Sequence, residues 1–204
     1  MTDLFEEKAQ DWDSRPIPLQ ISEGVVAAIR RSVPLTPAHR VLDFGAGTGL
    51  LCGKLAADVQ RILAVDVSPS MLARLAEKTE LAGVVTPICQ NILEQPLDTT
   101  VDLVVSAMAL HHVEDTAALL AALYAHLEPG GSVALADLDS EPGTFHPPGI
   151  EGVFHHGFAR PWLREQLQAA GFEDIVFETA CTVDRDSRRY PVFLVTARKA
   201  RADA

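Results

Sequence analysis

Hydrophobic and polar positions along the chain follow two alternating rhythms. Ile21, Val25, Ile29 and Val33 recur at helical spacing, and Pro34 closes that helix. Beyond it, short β-branched runs alternate with helical stretches. Strands are predicted at Arg40–Phe44, Arg61–Val65, Val84–Cys89, Val101–Ser106 and Ser132–Asp137. Helices are predicted at Leu50–Ala57, from an N-cap at Ser68 to Lys78, and at Thr116–Leu127, the last terminated by Pro129, Gly130 and Gly131. A helix over Pro161–Ala170, stopped by Gly171, precedes strands at Phe172–Thr179 and Tyr190–Arg198. The short polar loop between those two strands forces antiparallel pairing. The whole pattern predicts an α/β fold in which a parallel sheet, covered by helices on both faces, ends in a hairpin. We expect a single domain over residues 1–204, with an N-terminal lid and helix over 1–35. The irregular stretch 139–158, rich in proline and glycine and carrying His146, His155 and His156, is a candidate substrate loop.

Between the first strand and its helix runs Val-Leu-Asp-Phe-Gly-Ala-Gly-Thr-Gly-Leu-Leu, residues 41–51. Alone, such a loop is only a tight strand-to-helix turn. Gly45, Gly47 and Gly49, with Ala46 and Thr48 between them, let a ligand lie against the backbone at a helix N-terminus. A dinucleotide fingerprint would need its third glycine where Leu50 stands, and Asp43 would repel a pyrophosphate. S-adenosylmethionine has no phosphate and carries a cationic ammonium and sulfonium, so an acidic neighbour suits it. Asp66, ending the second strand, is placed to accept ribose hydroxyls, with Val67 and Met71 beside the adenine.

DFGAGTG, AVDVSPSML, CQNILEQPL, VDLVVSAMALHHVED and LEPGGSVALADL, followed by the terminal GF…VFLVTARK segment, together resemble the class I S-adenosylmethionine-dependent methyltransferase superfamily across most of the chain. That resemblance implies a Rossmann-like, seven-stranded mixed sheet ordered 3-2-1-4-5-7-6 with strand 7 antiparallel. It also implies S-adenosyl-L-homocysteine as the product. The opening FEEKAQDWD is similar to the ubiquinone/menaquinone-biosynthesis type, which implies that Trp12 covers the cofactor. In the adenine turn Asn91 replaces the usual aspartate. Its amide oxygen can accept from the adenine amino group, Ile92 contributes a backbone N–H, and Ala107 follows the fourth strand beside the cofactor.

Composition narrows the partners. Hydrophobic residues make up 48% of the chain, enough for a folded core, and the net charge of -11 opposes binding to a nucleic-acid backbone. The acidic start is not a secretory signal, and no apolar run is long enough to span a membrane. Cys52, Cys89 and Cys181 have no paired spacing, which points to reduced thiols in the cytoplasm. No Cys/His spacing supports a metal.

Methyl transfer needs positioning and, for a protonated acceptor, a base. His111 and His112, after the fourth strand, are the candidates for catalysis; His155 and His156 are near the same mouth, and Asp137 either faces the pocket or caps a turn. Phe145, Phe154, Phe158 and Trp162 flank the candidate loop and suit an apolar, small-molecule acceptor. A protein acceptor, a non-catalytic S-adenosylmethionine-binding domain and a nicotinamide oxidoreductase are the alternatives that sequence leaves open.

Overall fold

The structure, a computed structural model of the chain, describes residues 3–201. Among these residues the strands are β1 (Arg40–Phe44), β2 (Arg61–Asp66), β3 (Val85–Cys89), β4 (Val101–Ala107), β5 (Leu127–Leu138), β6 (Phe172–Arg185) and β7 (Arg188–Lys199). They form one seven-stranded sheet in the order β3-β2-β1-β4-β5-β7-β6. Pairing is parallel from β3 through β5, and β7 runs antiparallel to both β5 and β6. This is the mixed, Rossmann-like sheet that the family resemblance implied.

The helices are α1 (Glu6–Ala9), α2 (Pro16–Ser32), α3 (Leu50–Leu55), α4 (Pro69–Ala76), α5 (Thr116–Ala125) and α6 (Arg160–Ala169). Successive strand residues point to opposite faces, and both faces are covered. Val41 of β1 packs into one core with Ile29 of α2 and Leu55 of α3, whereas Leu42 joins a second core with Leu119 of α5 and Leu167 of α6. Burial on both faces explains why these strands read as nearly continuous apolar runs. Among the described residues no helix is long and apolar enough to cross a membrane.

Three boundaries differ most from the sequence expectation. The helix expected to run to Leu127 ends at Ala125, and Pro129, Gly130 and Gly131 lie inside β5 rather than in a terminating turn. His126 turns the chain instead, its Nδ1 donating to the Ala122 carbonyl oxygen (2.7 Å) and its Nε2 accepting from the Leu97 N–H (2.9 Å). The sheet then absorbs the proline and glycines in an irregular register, Val101 pairing with Leu127 and Leu103 with Ser132. The expected loop between the last strands shrinks to Asp186–Ser187, both with positive φ (50° and 63°), the backbone a tight two-residue hairpin requires. Its polar flanks read as loop because they form the exposed tip of a ribbon. At the other end, α2 begins at Pro16, a proline at the first turn, ahead of Ile21 where the helical spacing of apolar residues starts. Residues 1 and 2 of the expected N-terminal lid lie outside the described residues.

The candidate substrate loop is closed at its base. The Phe158 N–H donates to the Leu138 carbonyl (2.9 Å), Ser140 N–H to Phe158 (3.1 Å) and Glu141 N–H to His156 (2.9 Å). Arg160 at the start of α6 grips Asp139 through both carboxylate oxygens at 2.7 Å. Gly157 sits within this closure at φ 71°, where an added Cβ would lie 2.2 Å from the Asp139 carbonyl oxygen. Gly157→Ala should therefore destabilise the fold by about 1–3 kcal/mol. Thermal unfolding checks this, and an unchanged Tm would show that the loop is not closed here.

Candidate functional site

Parallel pairing puts the carboxyl ends of β1, β2, β4 and β5 on one edge of the sheet, and the site is built there. The turn from β1 into α3 holds Gly45, Gly47 and Gly49 at φ 69°, 56° and 83°. Their reasons differ. A Cβ on Gly45 would lie 2.3 Å from Ala109 Cβ and one on Gly49 2.3 Å from a Leu75 methyl, whereas nothing approaches the Gly47 position closer than Met71 Sδ at 4.0 Å. Gly47 thus opens its backbone to a cavity of about 430 Å³. Asp66 braces the cradle, Oδ2 accepting from Gly47 N–H (2.7 Å) and Oδ1 from Ser68 N–H (2.8 Å). Burial pushes the Asp66 carboxyl up despite those donors.

Asp43, next to last in β1, has the opposite lot. It is 1% exposed, and neither carboxylate oxygen has a hydrogen-bond partner among the described residues. The nearby Cys52 thiol donates instead to the Gly49 carbonyl at 3.7 Å. Burial pushes the Asp43 carboxyl up to about 8, the nearby Cys52 thiol and N–H opposing the shift and the charge of Asp66 adding to it. A buried carboxylate without partners is costly, and this one is on the cavity wall. It fits a ligand that brings a cationic donor.

Of the residues expected to hold a cofactor, Asp43, Gly45, Ala46, Gly47, Asp66, Val67, Met71, Asn91, Ala107 and Trp12 all line this cavity. Thr48, Gly49 and Ile92 do not. Ile92 is packed in the core on the α5 side of the sheet. The Thr48 hydroxyl donates to Asp13 (2.5 Å), while Lys78 reaches both the Thr48 carbonyl (2.7 Å) and Asp13 (2.6 Å). Asn91 spends its side chain on its own turn, accepting from Leu93 N–H (3.1 Å) and donating to Glu94 (2.9 Å).

The N-terminal segment covers the cradle through two carboxylates, Asp13 on Thr48 and Asp3 on the Ser68 and Ser70 hydroxyls (2.8 and 2.5 Å). Sequence reasoning missed Phe5, which lines the cavity and meets His112 edge-on, and Met108, held at φ 60° on the cavity wall. Phe5 is an aromatic in a charged stretch and was a detectable signal. Nothing in the sequence marks the backbone of Met108.

His111, His112 and His146 converge at the far end of the cavity. His111 is 1% exposed with both ring nitrogens engaged, Nδ1 lying 2.7 Å from Asp137 Oδ1 and Nε2 3.1 Å from His146 Nε2. His112 places Nδ1 2.5 Å from the Gly152 carbonyl, and its ring centroid lies 4.1 Å from that of His111. The candidate substrate loop docks on this turn, the Phe154 and His155 N–H groups donating to the His111 carbonyl (3.0 and 3.3 Å). His155 points away, to the Val113 and Glu114 carbonyls, and His156 is exposed. Among the described residues no group of three His, Cys, Asp or Glu is arranged to hold a metal ion.

Residues 42–135 match the family model of a methyltransferase domain. An uncharacterized methyltransferase of Schizosaccharomyces pombe is 33% identical over 137 residues, which cover 59% of this chain and 48% of that protein. The ubiquinone biosynthesis O-methyltransferase of Xanthomonas campestris is 32% identical over 114 residues, 53% of this chain and 47% of that protein. The chain thus spans about half the length of these relatives. Among solved structures, phosphoethanolamine N-methyltransferase 2 of Haemonchus contortus, in complex with S-adenosyl-L-methionine, superposes with a TM-score of 0.73 at 20% identity. The match covers 88% of this chain and 53% of that one.

The raised Asp43 carboxyl predicts a pH-dependent stability. Its ordinary value is 3.8 and its folded value about 8, so its contribution to stability is complete below the ordinary value and is lost as pH rises through the folded one. Asp43→Asn removes that loss. Relative to the parent chain, its Tm should be higher at pH of about 8, by roughly 2–4 °C for each kcal/mol recovered, and the gap should close near pH of about 4. A gap independent of pH in calorimetry would exclude the carboxylate as its source.

Proposed function

We propose that this chain, whose residues 42–135 match a methyltransferase domain and whose sheet has the class I methyltransferase order, is a class I S-adenosylmethionine-dependent methyltransferase that transfers a methyl group to a small-molecule acceptor. The observation that carries this reading is the partnerless, buried Asp43 carboxylate beside an open glycine backbone. Asp43 would pair with the cofactor's ammonium, and the Gly47 backbone would lie against its methionine moiety. The oxygens of Asp66 each retain acceptor capacity for ribose hydroxyls beyond the N–H bonds they already hold. Val67, Met71 and Asn91 would flank the adenine, with Ala107 and Trp12 closing the sides. Gly49 supports this cradle through its turn, Thr48 through Asp13, and Ile92 from the core.

Bound S-adenosylmethionine supplies a methyl group activated by a cationic sulfur. The chain's own work is then to position the acceptor and exclude water. Residues 3–14 and the docked loop 139–158 enclose the cavity, and Ile17, Pro18, Phe145 and Phe154 give its acceptor end an apolar lining. Such a lining, together with the net charge of -11, supports a small apolar acceptor over nucleic acid. A histidine of the converged trio takes the acceptor's proton where there is one to remove. Cys52, Cys89 and Cys181 are all unpaired, which supports a cytoplasmic setting.

Calorimetry with S-adenosylmethionine, followed by a tritiated-methyl screen of metabolite fractions, tests the reading; absence of cofactor binding overturns it. Asp66→Ala should weaken cofactor binding by about 1.5–3 kcal/mol, roughly 10- to 150-fold, for each lost bond to a charged acceptor. Gly47→Val should abolish binding, because the side chain would occupy the cradle. Affinity in the parent chain should rise with pH up to about 8, where Asp43 gives up its proton, and by no more than about tenfold per pH unit. Asp43→Asn should bind weakly and without that slope. A slope retained in this variant would assign the ammonium to another group.

A further inference from the structure

We propose that Asp137, His111 and His146 form a proton relay in which His146, rather than His111, touches the acceptor. The inference rests on the methyl-transfer reading and identifies the acceptor as one that must lose a proton, a phenol- or enol-like hydroxyl on an apolar body.

The proton positions follow from the hydrogen bonds. Asp137 lies near the end of β5 with no exposure. Oδ1 accepts from Leu138 N–H (2.7 Å) and Oδ2 from His111 N–H (3.2 Å). Burial pushes this carboxyl up, but the His111 ring and the backbone donors outweigh it and hold it below the usual range. An ionised carboxylate only accepts, so His111 Nδ1, 2.7 Å away, carries its proton. A neutral His111 then has a lone pair at Nε2. His146 Nε2, 3.1 Å from it, must be the donor. That assignment leaves the lone pair of His146 on Nδ1, which has no partner among the described residues, and His146 is on the cavity wall.

His112 also lines the cavity, but it leads nowhere. Its Nδ1 is committed to the Gly152 carbonyl, and no hydrogen bond joins its ring to His111 or Asp137. Burial, reinforced by the charge of a protonated His111 ring, holds His112 down to about 4 and His146 to about 3, with Lys8 adding to both effects and Asp137 opposing them. Neither ring by itself can keep a proton at neutral pH. A proton taken by His146 has somewhere to go.

The transfer balances. As the acceptor O–H bond breaks, its proton goes to His146 Nδ1, and the Nε2 proton of His146 passes to His111 Nε2. His111 becomes an imidazolium paired with the Asp137 carboxylate, and the electron pair left on the acceptor oxygen would take the methyl group, the pair of the broken carbon–sulfur bond staying with sulfur in S-adenosylhomocysteine. The resulting cation has a counter-charge 2.7 Å away in a buried site, which explains why an acid lies beneath a histidine whose ring nitrogens are both already engaged.

Nitrogen-15 imidazole spectroscopy on histidine-labelled protein tests the relay without an acceptor. At neutral pH His111 should be the Nδ1–H form and His146 the Nε2–H form, and on acidification the first proton taken by the trio should reside on His111. Asp137→Asn should abolish that order. His146→Gln keeps an N–H donor toward His111 and should leave the His111 form unchanged, which serves as the control for folding. An Nε2–H form of His111, or first uptake on His146 or His112, overturns the relay. Calorimetry with S-adenosylhomocysteine on the same samples reports separately on the methyl-transfer reading. Failure to bind with the predicted proton positions intact sinks that reading alone.

Discussion

Parallel register at one edge of the sheet is the constraint on which the site depends. Because β1 pairs with β2 and β4, and β4 with β5, the strands end together. Three aspartates occupy those ends, Asp43 on β1, Asp66 on β2 and Asp137 on β5. They are all largely withdrawn from water, yet each is compensated differently. Asp66 has two backbone N–H groups, Asp137 has an imidazole with backbone N–H groups, and Asp43 has nothing. Those partners assign the roles. In the proposed function a satisfied carboxylate braces a loop, one paired with histidine is the counter-charge to a protonated ring, and one without a partner receives a cation.

The enclosure is made by segments that have little core of their own. Residues 3–14 are held by Asp3 and Asp13, which reach the N-terminus of α4 and the glycine turn. The loop 139–158 is fixed at its base by Arg160 and at its tip by the carbonyl of His111 and the ring of His112. Both attachments are polar and local, so they fix geometry more than they add stability. Each segment contacts the residues it covers, which ties the shape of the cavity to the chemistry at its ends.

Class and the glycine cradle were legible because they rest on short-range patterns, whereas the strand order was implied only by the family resemblance that those patterns carry. The DFGAGTG turn combines a strand, three glycines and an acid within one run, and Asp66 follows at the next strand end. Boundaries slipped where tertiary pairing overrode local propensity. Pro129, Gly130 and Gly131 look like a helix stop, but the pairing of Val101 with Leu127 and of Leu103 with Ser132 on either side carries β5 across them as an irregularity; the polar tip of the β6–β7 ribbon looks like a loop, but continued pairing makes it strand.

By itself the sequence determined the periodicities, the backbone freedom at the glycine turn and which residues carry chemistry, since these depend on side-chain type and spacing along the chain. The tertiary structure decided which of them meet. His111 and His146 are separated by a strand, a helix and a loop, and only the docking of that loop brings their rings within hydrogen-bond reach. The missing partners of Asp43 were equally invisible, because the absence of a contact is a property of the packed molecule and has no signature in the order of residues.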